Sequence, residues 1–493
     1  MMRMAWLVMI TLAVAMPAYA ADVASRASIY APATTRPSAA VEPIHLEPGP
    51  HLFIDDFLIA ESHNVRRVVN RPERDAKIRN PIISGKEDGC FQPYMTILRD
   101  PTQKFRIWYG ARTADSNPSR SRLGYMESND GIRWQRPHRV LETPFIQFGA
   151  SVLDEGPAFA DSQQRFKFAW WAPATPKGGL PGMKLAASPD GFIWSQMKKP
   201  GAADDVILAH NHDINSIFRD PIRKLYIAIA STHVTDPAWS GERRVTTQSV
   251  SDDLMNWQTP WRVVVPDPRV EHDQTQFYAM DGFLVRGGLL IGMVKVLRDD
   301  LKADDPPDPP DAYGIGYTAL AWSRDGEHWT RDREAFFDRD SRKGAWDHAH
   351  TWIDEQVPVG DEIFLYYGGY ARGHKVNRFE ERQIGLVQMK RDRYVAREAG
   401  DESGTIMTPS IVLGGHELTI NADAADGGEI RVQVLDAGGK AIEGFTFADA
   451  EPITRDGLGV PVKWKRELKQ IARRPVRLAF QMKHARLFAI DVR

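Results

Sequence analysis

Aligned on the hairpins of neighbouring repeats, Asp154 and Asp213 are expected to occupy matching places in this chain. When Asp161 is laid over Asp220, the run Asp154-Glu155-Gly156-Pro157-Ala158-Phe159 matches Asp213-Ile214-Asn215-Ser216-Ile217-Phe218 without a gap. Carboxyl groups brought to one axis by adjacent elements can cleave a glycosidic bond. That chemistry needs a pair about 5–5.5 Å apart for a covalent intermediate, or about 6.5–9.5 Å apart when water attacks. A second set mixes imidazoles with carboxylates: His210-Asn211-His212-Asp213, Glu271-His272-Asp273 and Trp346-Asp347-His348-Ala349-His350. These groups can bind sugar hydroxyls, or hold a divalent ion, imidazole suiting a transition metal and oxygen ligands calcium. His212, His272, His348 and His350 are the candidate metal ligands. Trp346 and Tyr278 offer flat faces for a sugar ring, and Gln92, His212, Asp273, Gln276, Asp347 and His350 are the expected polar contacts to a substrate.

The elements that must position these groups are written in repeats. Four copies of a turn follow the pattern S-x-D-G-x-x-W: Ser128 to Trp134, Ser188 to Trp194, Ser251 to Trp257 and Ser323 to Trp329, with Leu254 replacing Gly once. Ser and Asp can accept from nearby backbone N–H groups, Gly supplies a positive φ, and Trp folds back as an apolar lid. A strand-like run precedes each copy. The hairpin around Arg99-Asp100-Pro101 recurs around Arg219-Asp220-Pro221 and, more loosely, around Asp161, so Arg-Asp-Pro belongs to the repeat. A period of roughly 60–70 residues suits a four-stranded propeller blade and not a helical repeat. Units fall at 85–134, 149–194, 212–257 and 276–329, with a fifth from Ala349 to a decayed box at Lys390-Arg391-Asp392-Arg393-Tyr394.

The expected fold is all-β: a five-bladed β-propeller over 45–400, entered by a lead-in strand at His51 to Ile59, followed by a small C-terminal β-sandwich over 401–493. Residues 299–311, acidic and Pro-rich, read as a solvated loop inserted between strands of the fourth unit, with a lid over the ring as the functional alternative.

With 493 residues and a formal charge of −2, the chain can bury a large core and gives no reason to expect a nucleic-acid partner. Met1 to Ala20 reads as a secretory signal, with Arg3, an apolar stretch and Ala18-Tyr19-Ala20 as the cleavage site. Residues 21–44 read as a disordered tether. A periplasmic or secreted protein without membrane insertion after cleavage is expected, and the single Cys90 excludes an intrachain disulfide.

Five units with such turns, an exported chain and a C-terminal sandwich resemble the five-bladed propeller glycoside hydrolases around families 32, 43 and 68, including uncharacterised exported bacterial members. The likeness covers about residues 50 to 490. It implies a carbohydrate substrate of plant or algal origin and an axial funnel. In it Asp88 would be base or nucleophile, Asp154 or Glu155 an orienting carboxylate, and Asp213 the acid or its partner. It also implies that a histidine could serve as general acid. The Asn-Asp-Pro-Asn signature of family 32 is absent, and the third unit has Asp where these families keep Glu. A non-catalytic carbohydrate-binding propeller and a metal-assisted sugar lyase are the alternatives.

Overall fold

The computed structural model describes residues 42–113, 120–175, 179–201, 205–303, 312–377, 380–424, 427–471 and 473–493, without the side chain of Gln92. The leader, most of the tether and residues 304–311 of the acidic insertion lie outside the described residues.

The chain is all-β, and its turns form by the local chemistry written in them. In the first, Ser128 Oγ accepts from Gly131 N at 2.9 Å, while Asp130 Oδ1 accepts from Ile132 N and Arg133 N at 2.8 and 2.7 Å. Asp190, Asp253 and Asp325 each accept the two corresponding amides. The fourth position of the turn is left-handed in all four, including Leu254 at φ 66. Where glycine stands there, its carbonyl is held by the preceding unit: Gly191 O accepts from Trp108 Nε1 at 3.0 Å and Gly326 O from Gln248 Nε2 at 2.6 Å. Gly131 O accepts from Tyr366 Oη of the fifth unit at 2.9 Å, so the series wraps around. Leu254 replaces that polar link with apolar packing, buried beside Met183 and Leu185 of the second unit.

The units are antiparallel sheets, the fourth and fifth joined into one of seven strands by a parallel bridge between Gly316 and His350, and each begins with its innermost strand: Cys90–Arg99, Ala150–Asp154, Asn215–Asp220, Thr275–Arg286 and His350–Val359. These five strands touch in that order, and the fifth touches the first. Residues before the first unit seal the fifth: Ile83 and Glu73 bridge to Ile384 and Gln388, and the Asn80 side chain donates to Leu386 O and accepts from Leu386 N. Of the acidic stretch, Asp299 to Lys302 is not loop but the end of the long strand Leu289–Lys302.

The segment read as a lead-in does something else. Ile44–Leu46 and Glu61–His63 join one six-stranded sheet, and Gly49–Leu52 and Arg66–Val69 another, both built otherwise from strands between Val395 and Val492. One apolar cluster, including Phe53, Ile406, Ile420, Val434, Phe480 and Ile490, takes residues from both sheets. The N-terminal strands therefore belong with the C-terminal ones by backbone pairing, with Leu46 and Phe53 buried in that cluster, while Leu52 and Val69 pack against the fourth and fifth units of the ring.

Candidate active site at the mouth of the ring

Two inner strands carry irregularities that turn side chains toward the axis. Pairing of Thr275–Arg286 slips between Phe277 and Ala279, at Tyr278, and pairing of His350–Val359 slips between Ile353 and Glu355, at Asp354. Such bulges re-aim a residue that a regular strand would point elsewhere. Tyr278 stacks on Trp352 with centroids 4.9 Å apart, and with Tyr94, Ile214 and Tyr370 these rings form a buried aromatic layer.

A polar group stands on that layer. The Arg244 guanidinium lies 5.0 Å over the Tyr278 ring and donates to Gln276 Oε1 at 2.7 Å, Asp299 Oδ2 at 3.1 Å and His212 Nε2 at 3.1 Å. His374 Nδ1 donates to Asp299 Oδ1 at 3.3 Å, and its ring meets Tyr278 edge-on. Asp213 Oδ1 is 3.2 Å from His212 Nε2. His350 stacks on Tyr370 at 4.5 Å and donates from Nε2 to Gly314 O at 2.8 Å. The imidazoles are the buried members, with side-chain exposures of 8% for His212 and 5% for His374. The carboxylates of Asp213 and Asp299, at 18% and 34%, are what a ligand meets.

Electrostatics separate the two kinds of group. Burial, with Arg244 and His233 adding to it, pulls His212 well below the usual imidazole range. Burial likewise brings His374 to about 4 against the opposing pull of Asp299, and holds His350 low. Burial alone would raise Asp299, but the His374 hydrogen bond and the Arg244 charge outweigh it and hold its carboxyl far below the usual range. At neutral pH the mouth thus offers neutral imidazoles around an ionised Asp299.

Of the carboxylates singled out in the sequence, Asp213 alone joins this group. Asp88 ends a short helix, almost fully buried, and is clamped by Arg136 through two contacts of 2.8 Å. Asp154 lies at the far end of its strand, not the start: it accepts from Gly156 N and pairs with Arg165 at 2.7 Å on both oxygens. Its repeat equivalent is Asp220, which accepts from Ile222 N and pairs with Arg223. The second unit's hairpin is longer, and Asp161 caps a 3-10 turn within it, so the ungapped alignment slipped. Gly149, just ahead of the second inner strand, is the residue that abuts Asp213 O. Glu155 accepts from Tyr226 Oη at 2.5 Å.

Among the expected contacts, His212, Gln276, Tyr278 and His350 are in the mouth. Asp273 engages Ser240 and Arg243, and Asp347 is tied to Arg74 and Tyr367 Oη, with Trp346 packed on Tyr367. The Gln92 side chain is outside the described residues. The four candidate metal ligands do not converge: His348 is held between the carbonyls of Asp340 and Ala303, and His272 accepts from Gln274 N. Among the described residues no three His, Cys, Asp or Glu side chains could hold a metal ion. Sequence reasoning missed Arg244, Asp299 and His374. Asp299 was hidden by the Pro-rich run that follows it, and nothing local marks the other two.

Deeper on the axis, under the aromatic layer, a cavity of about 460 Å³ is lined by all five inner strands. Lys295, fully buried, reaches Asp281 Oδ2 at 2.6 Å and also Asp354, and its ammonium lies 4.5 Å from the Tyr94 ring. Asp354 also accepts from Met95 N at 3.1 Å. Burial, then the Asp281 charge, pushes Glu355 well above the usual carboxyl range.

No family model and no curated protein matches the chain. Solved structures to which it is similar include an N-acetylgalactosamine deacetylase from F. plautii in complex with blood group B trisaccharide, at 14% identity over 67% of this chain and 97% of that one, TM-score 0.43. A glycosyl hydrolase from Bacteroides ovatus matches at 16% identity, over 67% and 98%, TM-score 0.39. A family 43 arabinoxylan arabinofuranohydrolase from Bacillus subtilis, in complex with cellotetraose, matches at 12% identity, over 84% and 97%, TM-score 0.37. Likenesses this distant leave the chemistry to the residues.

Proposed function

We propose that the chain is an exported glycoside hydrolase acting on plant or algal oligo- or polysaccharide at the mouth of a five-bladed β-propeller. On this reading the propeller is sealed by residues 73–83, and the two six-stranded sheets form a β-sandwich that includes the N-terminal strands. The observation that carries it is the pair Asp213 and Asp299, the partly exposed carboxylates over an aromatic floor, joined through His212 and Arg244. Asp299, kept ionised by His374 and Arg244, faces the anomeric carbon directly or through a water. Asp213 gives its proton to the departing glycosidic oxygen, and Tyr278 supports the sugar ring. The test is turnover of a panel of aryl glycosides and polysaccharides by the wild type, Asp213→Asn and Asp299→Asn. Both variants should lose nearly all activity while remaining folded; unchanged turnover in Asp213→Asn removes that residue.

A second reading, eliminative cleavage of a uronate-bearing chain, is favoured by one feature. His212 accepts a hydrogen bond from Arg244 and is therefore a neutral base beside a cation able to neutralise a sugar carboxylate. Ultraviolet absorbance of an unsaturated product separates the two readings.

A further inference from the structure

A cavity of about 790 Å³ lies outside the mouth. It lies between the segment from Arg74 to Pro81, which seals the fifth sheet, and the loop from Asp340 to Asp347. Trp346 forms part of its wall. The indole lies flat against the backbone of Gly369 and Gly385, where any side chain would collide with it, and packs on Tyr367 at 5.3 Å. Two glycines on adjacent strands thus make a seat for one ring, leaving it half-buried at the cavity's edge.

Charge around the cavity is uneven. Four cations, Arg74, Arg79, Arg342 and Lys343, face three carboxylates. Asp347 holds Arg74 at 2.8 Å, and Asp340 holds Arg342 at 2.6 Å. Arg79 and Lys343 are exposed and have no ion-pair partner among the described residues. An aromatic face flanked by two uncommitted cations fits a ligand with a flat apolar surface and negative charge. The volume is within the range of ordinary ligand pockets, about 300–1,000 Å³.

We infer that this cavity is a second carbohydrate site, separate from the mouth, that binds an anionic sugar, its ring against Trp346 and its charged group between Arg79 and Lys343. The anion could be a uronate carboxylate or a sulfate ester, and the experiment distinguishes them. The inference does not rest on the hydrolase reading, since binding here needs neither Asp213 nor Asp299.

Calorimetric titration would use a pentagalacturonate, a sulfated galactose pentasaccharide and neutral xylopentaose, each against the Asp213→Asn protein so that nothing is consumed. At least one anionic ligand should bind more tightly than xylopentaose by tenfold or more, and its affinity should fall as salt rises from 50 to 200 mM. The double variant Arg79→Glu/Lys343→Glu, altered only at exposed side chains, should weaken that binding at least tenfold with unchanged thermal unfolding. Whichever anionic ligand binds better identifies the charged group. Equal binding of the neutral sugar, no binding of either anionic one, or an affinity indifferent to the charge reversal would each overturn the inference.

Discussion

The mouth and the cavity beneath it use similar residues to opposite ends. Both combine aspartates with a cation, half-buried Arg244 in the mouth and buried Lys295 on the axis, and the layer of Tyr94, Tyr278, Trp352 and Tyr370 lies between them. In the mouth the carboxylates face outward, and the buried groups are imidazoles made neutral by their surroundings. On the axis the charges are turned inward: Lys295 is fully buried against Asp281 and Asp354. An ionised group at a solvent boundary is available for chemistry, whereas one compensated in the interior costs desolvation and holds the surrounding strands in register. The pairing of Lys295 on the fourth sheet with Asp354 on the fifth is of the second kind.

The largest effect should come from breaking the axial compensation. Lys295→Met leaves buried aspartates without their cation and should cost about 3–5 kcal/mol in denaturant unfolding. The double variant Lys295→Met/Asp354→Asn should recover part of that loss. An unaltered midpoint in the single variant would show that the axis is hydrated enough to do without Lys295. In the mouth the ranking reverses: Asp213→Asn should lower turnover about 100-fold or more and leave the midpoint nearly unmoved.

How much of this contrast the sequence reveals follows from how local each feature is. The S-x-D-G-x-x-W turns are legible because donor and acceptor lie two or three residues apart, as with Asp130 and the amides of Ile132 and Arg133. Leu254 reads as a turn residue for the same reason, but the packing that lets it hold a left-handed backbone comes from another sheet. Asp213 is legible as the residue two before an inner strand. Asp154 is not, since hairpin length decides whether a carboxylate belongs to the top or the bottom of its strand, and the second hairpin is longer than the third. The N-terminal strands defeat a local reading altogether, because Arg66–Val69 pairs with Val395–Ala399 across more than three hundred residues.

Acid and alkali should separate the two regions. Burial brings His374 to about 4, below the ordinary 6.5, so between pH 6.5 and 4 the unfolded chain binds more protons than the folded one. Stability from the mouth is therefore complete above pH 6.5 and lost as pH falls toward 4. Glu355 is shifted the other way, and the folded chain keeps a proton that the unfolded chain releases. Its contribution is complete below the ordinary 4.5 and declines as pH rises through the folded value. Urea midpoints measured from pH 4 to 9 should flatten on the acid side in His374→Gln and on the alkaline side in Glu355→Gln. The same limb flattening in both variants would mean that the regions titrate as one.

The smallest expected effect tests whether the axial network reaches beyond the cavity. Gln356 lines that cavity, donates to Gly282 O, and accepts from Tyr394 Oη at 2.8 Å, while Tyr394 is packed in the apolar cluster between the fourth and fifth sheets. Tyr394→Phe keeps the ring and leaves Gln356 Oε1 without its buried donor, which should cost about 1–2 kcal/mol. Turnover should be unchanged, because no group of the mouth contacts Tyr394 or Gln356. A loss of activity instead of stability would mean that the aromatic layer transmits strain from the axis to the mouth, and the two regions would then have to be treated as a single site.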